Sequence, residues 1–187
     1  MDRRLSDAFG RFDQVELRVC RSLNRTSGMT TVRKLFTFIS WLGDGKFWYA
    51  VMLSLPFVYG STGIVPAAHM LITAGLAVLI YKVIKKHAVR ERPFITHPAI
   101  NCACAPLDQY SFPSGHTLHA VTFTLMMAHY FPEWGLLLAF FTLLVALSRI
   151  ILGLHYPTDV AAGAALGGLI GIASLRLLEA LGPPVVL

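Results

Sequence analysis

From Lys46 to Leu181 the chain is a near-continuous series of apolar runs, separated by a few polar stretches. No other feature restricts its fold as strongly, because about 20 apolar residues are what a helix needs to cross a bilayer. Five runs are expected to span: 46–59, which is short and contains Pro56; 63–81, with His69 inside; 115–131; 134–154; and 159–181. In the last, the stretch from Ala161 to Gly168 offers a small-residue surface for close helix packing. No polar residues accompany its glycines, which argues against a flexible loop. The chain is 55% hydrophobic and 14% charged, against roughly 25% charged in soluble domains. That balance is expected of an integral membrane protein.

Residues 1–45 read differently. Arg3, Arg4, Arg11, Arg18, Arg21, Arg25 and Arg33 alternate with Phe9, Phe12, Val15, Leu17, Val19 and Leu23 at helical spacing. This pattern predicts amphipathic helices lying on the membrane surface. Asn24 to Gly28 is a break, and a second amphipathic piece, 32–42, stops at Gly43-Asp44-Gly45. A sixth span over 29–42 is opposed by Arg33 and Lys34. The expected organisation is therefore an interfacial segment, 1–45, and a transmembrane core, 46–187. The first residues lack the apolar core of a signal peptide.

A net charge of +6 suits basic residues that flank spans and meet anionic lipid, so no nucleic-acid partner is expected. Cys20, Cys102 and Cys104 follow no zinc-binding spacing and are expected to be free thiols.

Three polar clusters punctuate the apolar runs. The first, Lys85 to Pro93, holds Lys85, Lys86, Arg90 and Arg92, fixed cations that suit a phosphate or, alternatively, a snorkelling basic loop. The second, Pro113-Ser114-Gly115-His116, opens a helix. There Ser114 is a natural N-cap, Gly115 permits close approach to the backbone, and the helix N-terminus attracts an anion. His116 stands where it could protonate a leaving oxygen, and His119, one turn on, is expected to pack. The third cluster holds Arg149, His155 and Asp159. Asp159 could hold one nitrogen of His155 and leave the other as a nucleophile; a structural pair capping the fifth span is the alternative. Pro157 argues against one continuous helix through both. Arg149 supplies charge for transferring oxygens. Because successive spans run in opposite directions, all three clusters fall on one membrane face. Only Glu91 and Asp108 are acidic in the loop between the second and third runs, too few for a magnesium site.

Lysine, six residues, Arg-Pro; Pro-Ser-Gly-His; and Ser-Arg, five residues, His, three residues, Asp all occur in order, over residues 85–159. In this the chain resembles the type 2 phosphatidic acid phosphatase superfamily, which also includes vanadium haloperoxidases and bacterial acid phosphatases. The resemblance implies an all-α transmembrane bundle of five to six spans and a metal-independent lipid phosphatase without a cofactor. It implies His155 as nucleophile, Asp159 as its partner and His116 as acid. It implies phosphate binding by Lys85, Arg92, Ser114, Gly115 and Arg149. Substrates would be lipid phosphates or pyrophosphates, such as undecaprenyl pyrophosphate, phosphatidate or phosphatidylglycerophosphate. A lipid phosphotransferase with the same phosphohistidine, and a non-catalytic lipid-phosphate binder, are the alternatives. The compact size points to a bacterial inner membrane. The arginine-rich N-terminal segment places the active face in the cytoplasm, whereas the family resemblance places it outside.

Overall fold

Along the apolar runs the backbone closes its hydrogen bonds within helices, as hydrocarbon demands. The computed structural model describes residues 3–182, with side chains from residue 13 on; among these residues there are eight α-helices and no strand. They are α1 (Arg3–Arg25), α2 (Thr30–Leu42), α3 (Lys46–Tyr59), α4 (Ile64–His87), the single turn α5 (Pro93–Thr96), α6 (Gly115–Tyr130), α7 (Gly135–Ile151) and α8 (Pro157–Leu181). Three stretches are long and apolar enough to cross a membrane: Lys46–His87, Pro132–Ile151 and Pro157–Leu181. The first folds back on itself at residues 60–63, so that α3 lies against α4. At 16 residues α6 is about 24 Å long and is not among the three.

Helix ends differ from the expected runs for local reasons. α4 continues past Tyr81 to His87, because Lys85, Lys86 and His87 suit the negative end of the helix dipole. α7 stops at Ile151 instead of Leu154, since Gly153 takes φ 76°, which a right-handed helix cannot accommodate. α8 begins at Pro157, whose fixed φ suits a first helical position.

α6 forms the centre, packed along α8 and against α7 and α4. Gly163 and Gly167 make the α6–α8 contact possible: a methyl at either would overlap the carbonyl oxygen of Ser114 or Leu118. The Thr122 hydroxyl, 3.0 Å from the Gly167 carbonyl, fastens the two backbones. Trp48, Met70, Leu118, Met126 and Val145 fill the core, while Phe57, Ile72 and Leu136 face outward. His69 is a structural staple. Its Nδ1 lies 2.7 Å from the Tyr130 hydroxyl and its Nε2 2.7 Å from the Ser174 hydroxyl, joining α4 to α6 and α8. What α1 turns toward the bundle is mixed: Glu16, Asn24 and, just beyond its end, Ser27 are buried, and Cys20, with Leu17 and Leu23, packs against Ile100, Ile150 and Tyr156, whereas Val15 and Val19 are exposed.

Candidate active site

The C-terminal ends of α4 and α7, the N-terminal ends of α6 and α8, and the turn between α2 and α3 meet at one end of the bundle, around a cavity of about 280 Å³. Lys85 lies on the last turn of α4. Arg92 precedes α5, where Pro93 sets the direction of the chain. His116 is on the first turn of α6, and Arg149 on the last turn of α7. His155 sits in the short connection to α8, and Asp159 on the first turn of α8.

These positions bring most of the sequence-identified residues together. Arg92, Gly115, His116, Arg149 and His155 line the cavity, as does His119. Lys85, Ser114 and Asp159 stand behind its wall. Ser114 occupies the N-cap of α6, but its hydroxyl pairs with the Thr117 hydroxyl at 3.0 Å and makes no capping bond. Thr117, three residues on, offers a competing partner. The backbone N–H of Ser114 donates to the Asp159 carbonyl at 3.0 Å, tying α6 to α8 at the site. His119 donates its Nδ1–H to the Gly115 carbonyl, 2.8 Å away, and its buried Nε2 has no protein partner among the described residues.

The orientation of His155 follows from its neighbours. Arg92 Nη1 donates to the Leu154 carbonyl at 2.7 Å and lies 3.4 Å from His155 Nε2. A guanidinium has only donors, so Nε2 must present its lone pair and the ring proton resides on Nδ1. Nδ1 faces Asp159 Oδ2 across 3.8 Å, longer than a hydrogen bond, and has no other partner among the described residues. Burial holds the His155 imidazole neutral well below its ordinary range, and the positive charges of Arg149, Arg92 and Lys85 act the same way. A neutral ring with an unprotonated Nε2 is the form required of a nucleophile.

Arg149 is 3% exposed. Its Nη1 donates to the Ser40 hydroxyl, and its buried Nε has no protein partner among the described residues. A guanidinium so desolvated, on the wall of a cavity, is a ready anion site.

Several residues at the site carried no sequence signal. Asp108, from the loop before α6, accepts from Lys85 Nζ at 2.6 Å, Arg92 Nη2 at 2.7 Å and the Tyr81 hydroxyl at 2.6 Å. Burial pushes its carboxyl up, but the hydrogen bonds from Lys85 and Tyr81 outweigh that and hold it below its ordinary range. Asp44, in the α2–α3 turn, places Oδ1 3.7 Å from His116 Nε2. Burial pushes the Asp44 carboxyl up, against the pull of Lys46 and Arg149. Ser40 and Asp44 reach the site only through tertiary packing. Tyr81 could have been noticed four residues before Lys85, on the same helical face.

Residues 66–183 match the model of the PAP2 superfamily. The chain is 40% identical over 111 residues to the decaprenylphosphoryl-5-phosphoribose phosphatase of Mycobacterium tuberculosis, covering 58% of this chain and 56% of that one. It therefore spans little more than half the length of the mycobacterial protein. It is 31% identical over 157 residues to the undecaprenyl-diphosphatase of Sulfolobus acidocaldarius, covering 83% of this chain and 74% of the other. Among solved structures it superposes on Aquifex aeolicus LpxE with a TM-score of 0.75 at 26% identity, covering 86% of this chain and 94% of that one. The family match takes in α4 and α6 to α8, the helices whose ends carry the three motifs, and with the long apolar helices it makes the chain an integral membrane member of the PAP2 superfamily.

Proposed function

We propose that the protein is a metal-independent lipid phosphate phosphatase working through a phosphohistidine on His155. The observation that carries this reading is the setting of His155: buried on the cavity wall, with an unprotonated Nε2 beside Arg92 and Nδ1 toward Asp159. Nε2 attacks the terminal phosphorus as its bond to the leaving oxygen breaks (the ester oxygen of a lipid monophosphate, the bridging oxygen of a pyrophosphate), and His116 gives its proton to that oxygen. Arg92, Arg149 and Lys85, with the Gly115 N–H at the start of α6, take the charge of the phosphoryl oxygens, while Ser114, its hydroxyl on Thr117, holds the start of α6 in place. Water then attacks the phosphohistidine while His116 takes its proton, releasing phosphate and restoring the neutral His155. Each step needs only protein groups and water.

The substrate class is a polyprenyl-linked phosphate or pyrophosphate. Two relatives are named for such lipids, the mycobacterial decaprenylphosphoryl-5-phosphoribose phosphatase and the archaeal undecaprenyl-diphosphatase. An apolar wall of Trp48, Ala74, Val78 and Phe123 adjoins the cations of the cavity and suits the first carbons of a lipid chain. α3, α4, α6, α7 and α8 make five passes through a bacterial plasma membrane, with residues 1–45 forming an interfacial segment at the active end.

Phosphate release by the purified protein in detergent with EDTA tests the reading. The panel is undecaprenyl pyrophosphate, a polyprenyl monophosphate, phosphatidate and phosphatidylglycerophosphate. Release from a polyprenyl substrate, lost in His155→Ala, is the expected result; release that EDTA abolishes would overturn the mechanism.

A further inference from the structure

Arg90 lies inside the first basic cluster but belongs to no motif. Its Nη1 donates to Asp159 Oδ1 at 2.6 Å and to the Thr158 hydroxyl at 2.8 Å. Its Nη2 donates to Glu16 Oε2 at 2.7 Å, and the guanidinium lies over the Tyr156 ring, 4.0 Å from the centroid. The other oxygen of Glu16, Oε1, accepts from the Thr158 N–H at 2.9 Å and from the Thr158 hydroxyl. Glu16 thus grips both Arg90 and the first turn of α8. Asp159 Oδ2, the oxygen that faces His155, also accepts the Tyr156 N–H at 2.8 Å. Both oxygens of the Asp159 carboxylate therefore have a fixed donor, and two of the three charged groups in this chain of contacts are nearly inaccessible: Glu16 5% and Asp159 0% by side chain, with Arg90 at 32%.

Glu16 comes from α1, 142 residues before Thr158 and outside the part of the chain that matches the family model. A two-armed guanidinium can bridge two carboxylates with both held in plane; an ammonium on a flexible stem cannot. Resting on the phosphohistidine reading above, we propose that Glu16 and Arg90 are positioning residues for phosphoryl transfer. Glu16 holds Arg90, and Arg90 holds Asp159 in the orientation that directs the Nδ1 proton side of His155 and so aims Nε2 at phosphorus. The N-terminal helix is in this sense part of the catalytic apparatus. Neither residue lines the cavity, so both act on turnover and not on substrate affinity. Misplacement of a reacting group by about 1 Å costs on the order of a hundredfold in rate, and loss of one indirect support should cost less.

The experiment uses the full chain in detergent, with a polyprenyl substrate and rapid-quench measurement of phosphohistidine. Glu16→Gln, Arg90→Lys, Arg90→Met and the double variant Glu16→Gln/Arg90→Lys are compared with wild type, with thermal unfolding recorded for each. The proposal expects kcat and the rate of phosphohistidine formation to fall together, by about tenfold in Glu16→Gln and more in Arg90→Met, with KM within about twofold. Arg90→Lys should recover part of the Arg90→Met loss, and the double variant should lose little beyond Arg90→Lys, because the two residues act in series. A lowered unfolding temperature with unchanged kcat per folded molecule would assign the contacts to helix capping alone and overturn the proposal. A rise in KM alone, or losses that multiply, would overturn it as well. If wild type forms no phosphohistidine, the phosphatase reading itself falls, and this proposal with it; variants that match an active wild type sink the proposal alone.

Discussion

Asp108 and His155 show how single residues set the terms of this site. Asp108 engages Lys85 and Arg92, the cations to which the mechanism assigns the phosphoryl group. An incoming phosphate must share or replace that carboxylate. Asp108→Asn removes the competing charge, so orthovanadate should inhibit about tenfold more tightly, a gain of about 1.4 kcal/mol. Weaker inhibition would mean that Asp108 serves mainly to hold the two cations in place. His155 yields a prediction about pH. Its imidazole stays neutral in the folded protein well below its ordinary range, because burial and the neighbouring cations disfavour its charged form. Unfolded, it takes up a proton below about pH 6.5. The unfolded chain then binds more protons than the folded one, so this group lowers stability progressively as pH falls through that value. The unfolding temperature in detergent should drop between about pH 7.5 and 5.5 more in wild type than in His155→Gln. Equal drops would contradict the neutral, buried ring.

Elements bring these residues to one place, and the closest contact among them is that of α6 with α8. Gly163 and Gly167 let the two backbones meet, which fixes the Ser114 N–H on the Asp159 carbonyl and so joins the second and third motifs. Gly167→Leu forces α8 away from Leu118, and overpacking of this kind typically costs about 1–3 kcal/mol. The variant should unfold at a lower temperature and lose activity, whereas Gly168→Leu, at a position with open space, should do neither. Parallel behaviour of the two would contradict the packing described. Much of this was readable from the sequence. The small-residue stretch 161–168, Pro157 and the three motifs are local patterns, and the helices place them at one end by alternating direction. Glu16, Ser40 and Asp44 were not readable, because their roles depend on contacts across long separations: Ser40 meets Arg149 109 residues on, and Glu16 meets Thr158 142 residues on. Arg18, Arg21 and Arg25 mark the exposed face of α1, while the residue that matters to the site is Glu16, on the face turned inward.

At the scale of the whole molecule, five passes would put the active end on the same membrane face as residues 1–45. The thiols report that face unequally. Cys20 is 1% exposed, and burial, with Glu16 and Asp159 nearby, pushes its thiol up to about 12. Cys102 is exposed in the loop before α6. An impermeant maleimide applied to intact cells should therefore react at Cys102 if the active end faces outward, and only after permeabilisation if it faces inward; Cys20 should stay unlabelled in both. Labelling of Cys20 in the folded protein would contradict the docking of α1. The account as a whole turns on one covalent bond. Protein mixed with substrate labelled in its terminal phosphate, quenched in alkali within the first turnover in the presence of EDTA, should carry the label on His155 by peptide mass spectrometry, in a form stable to base and lost in acid. Steady phosphate release with no label on His155 at any quench time would contradict the mechanism and point to direct attack by water.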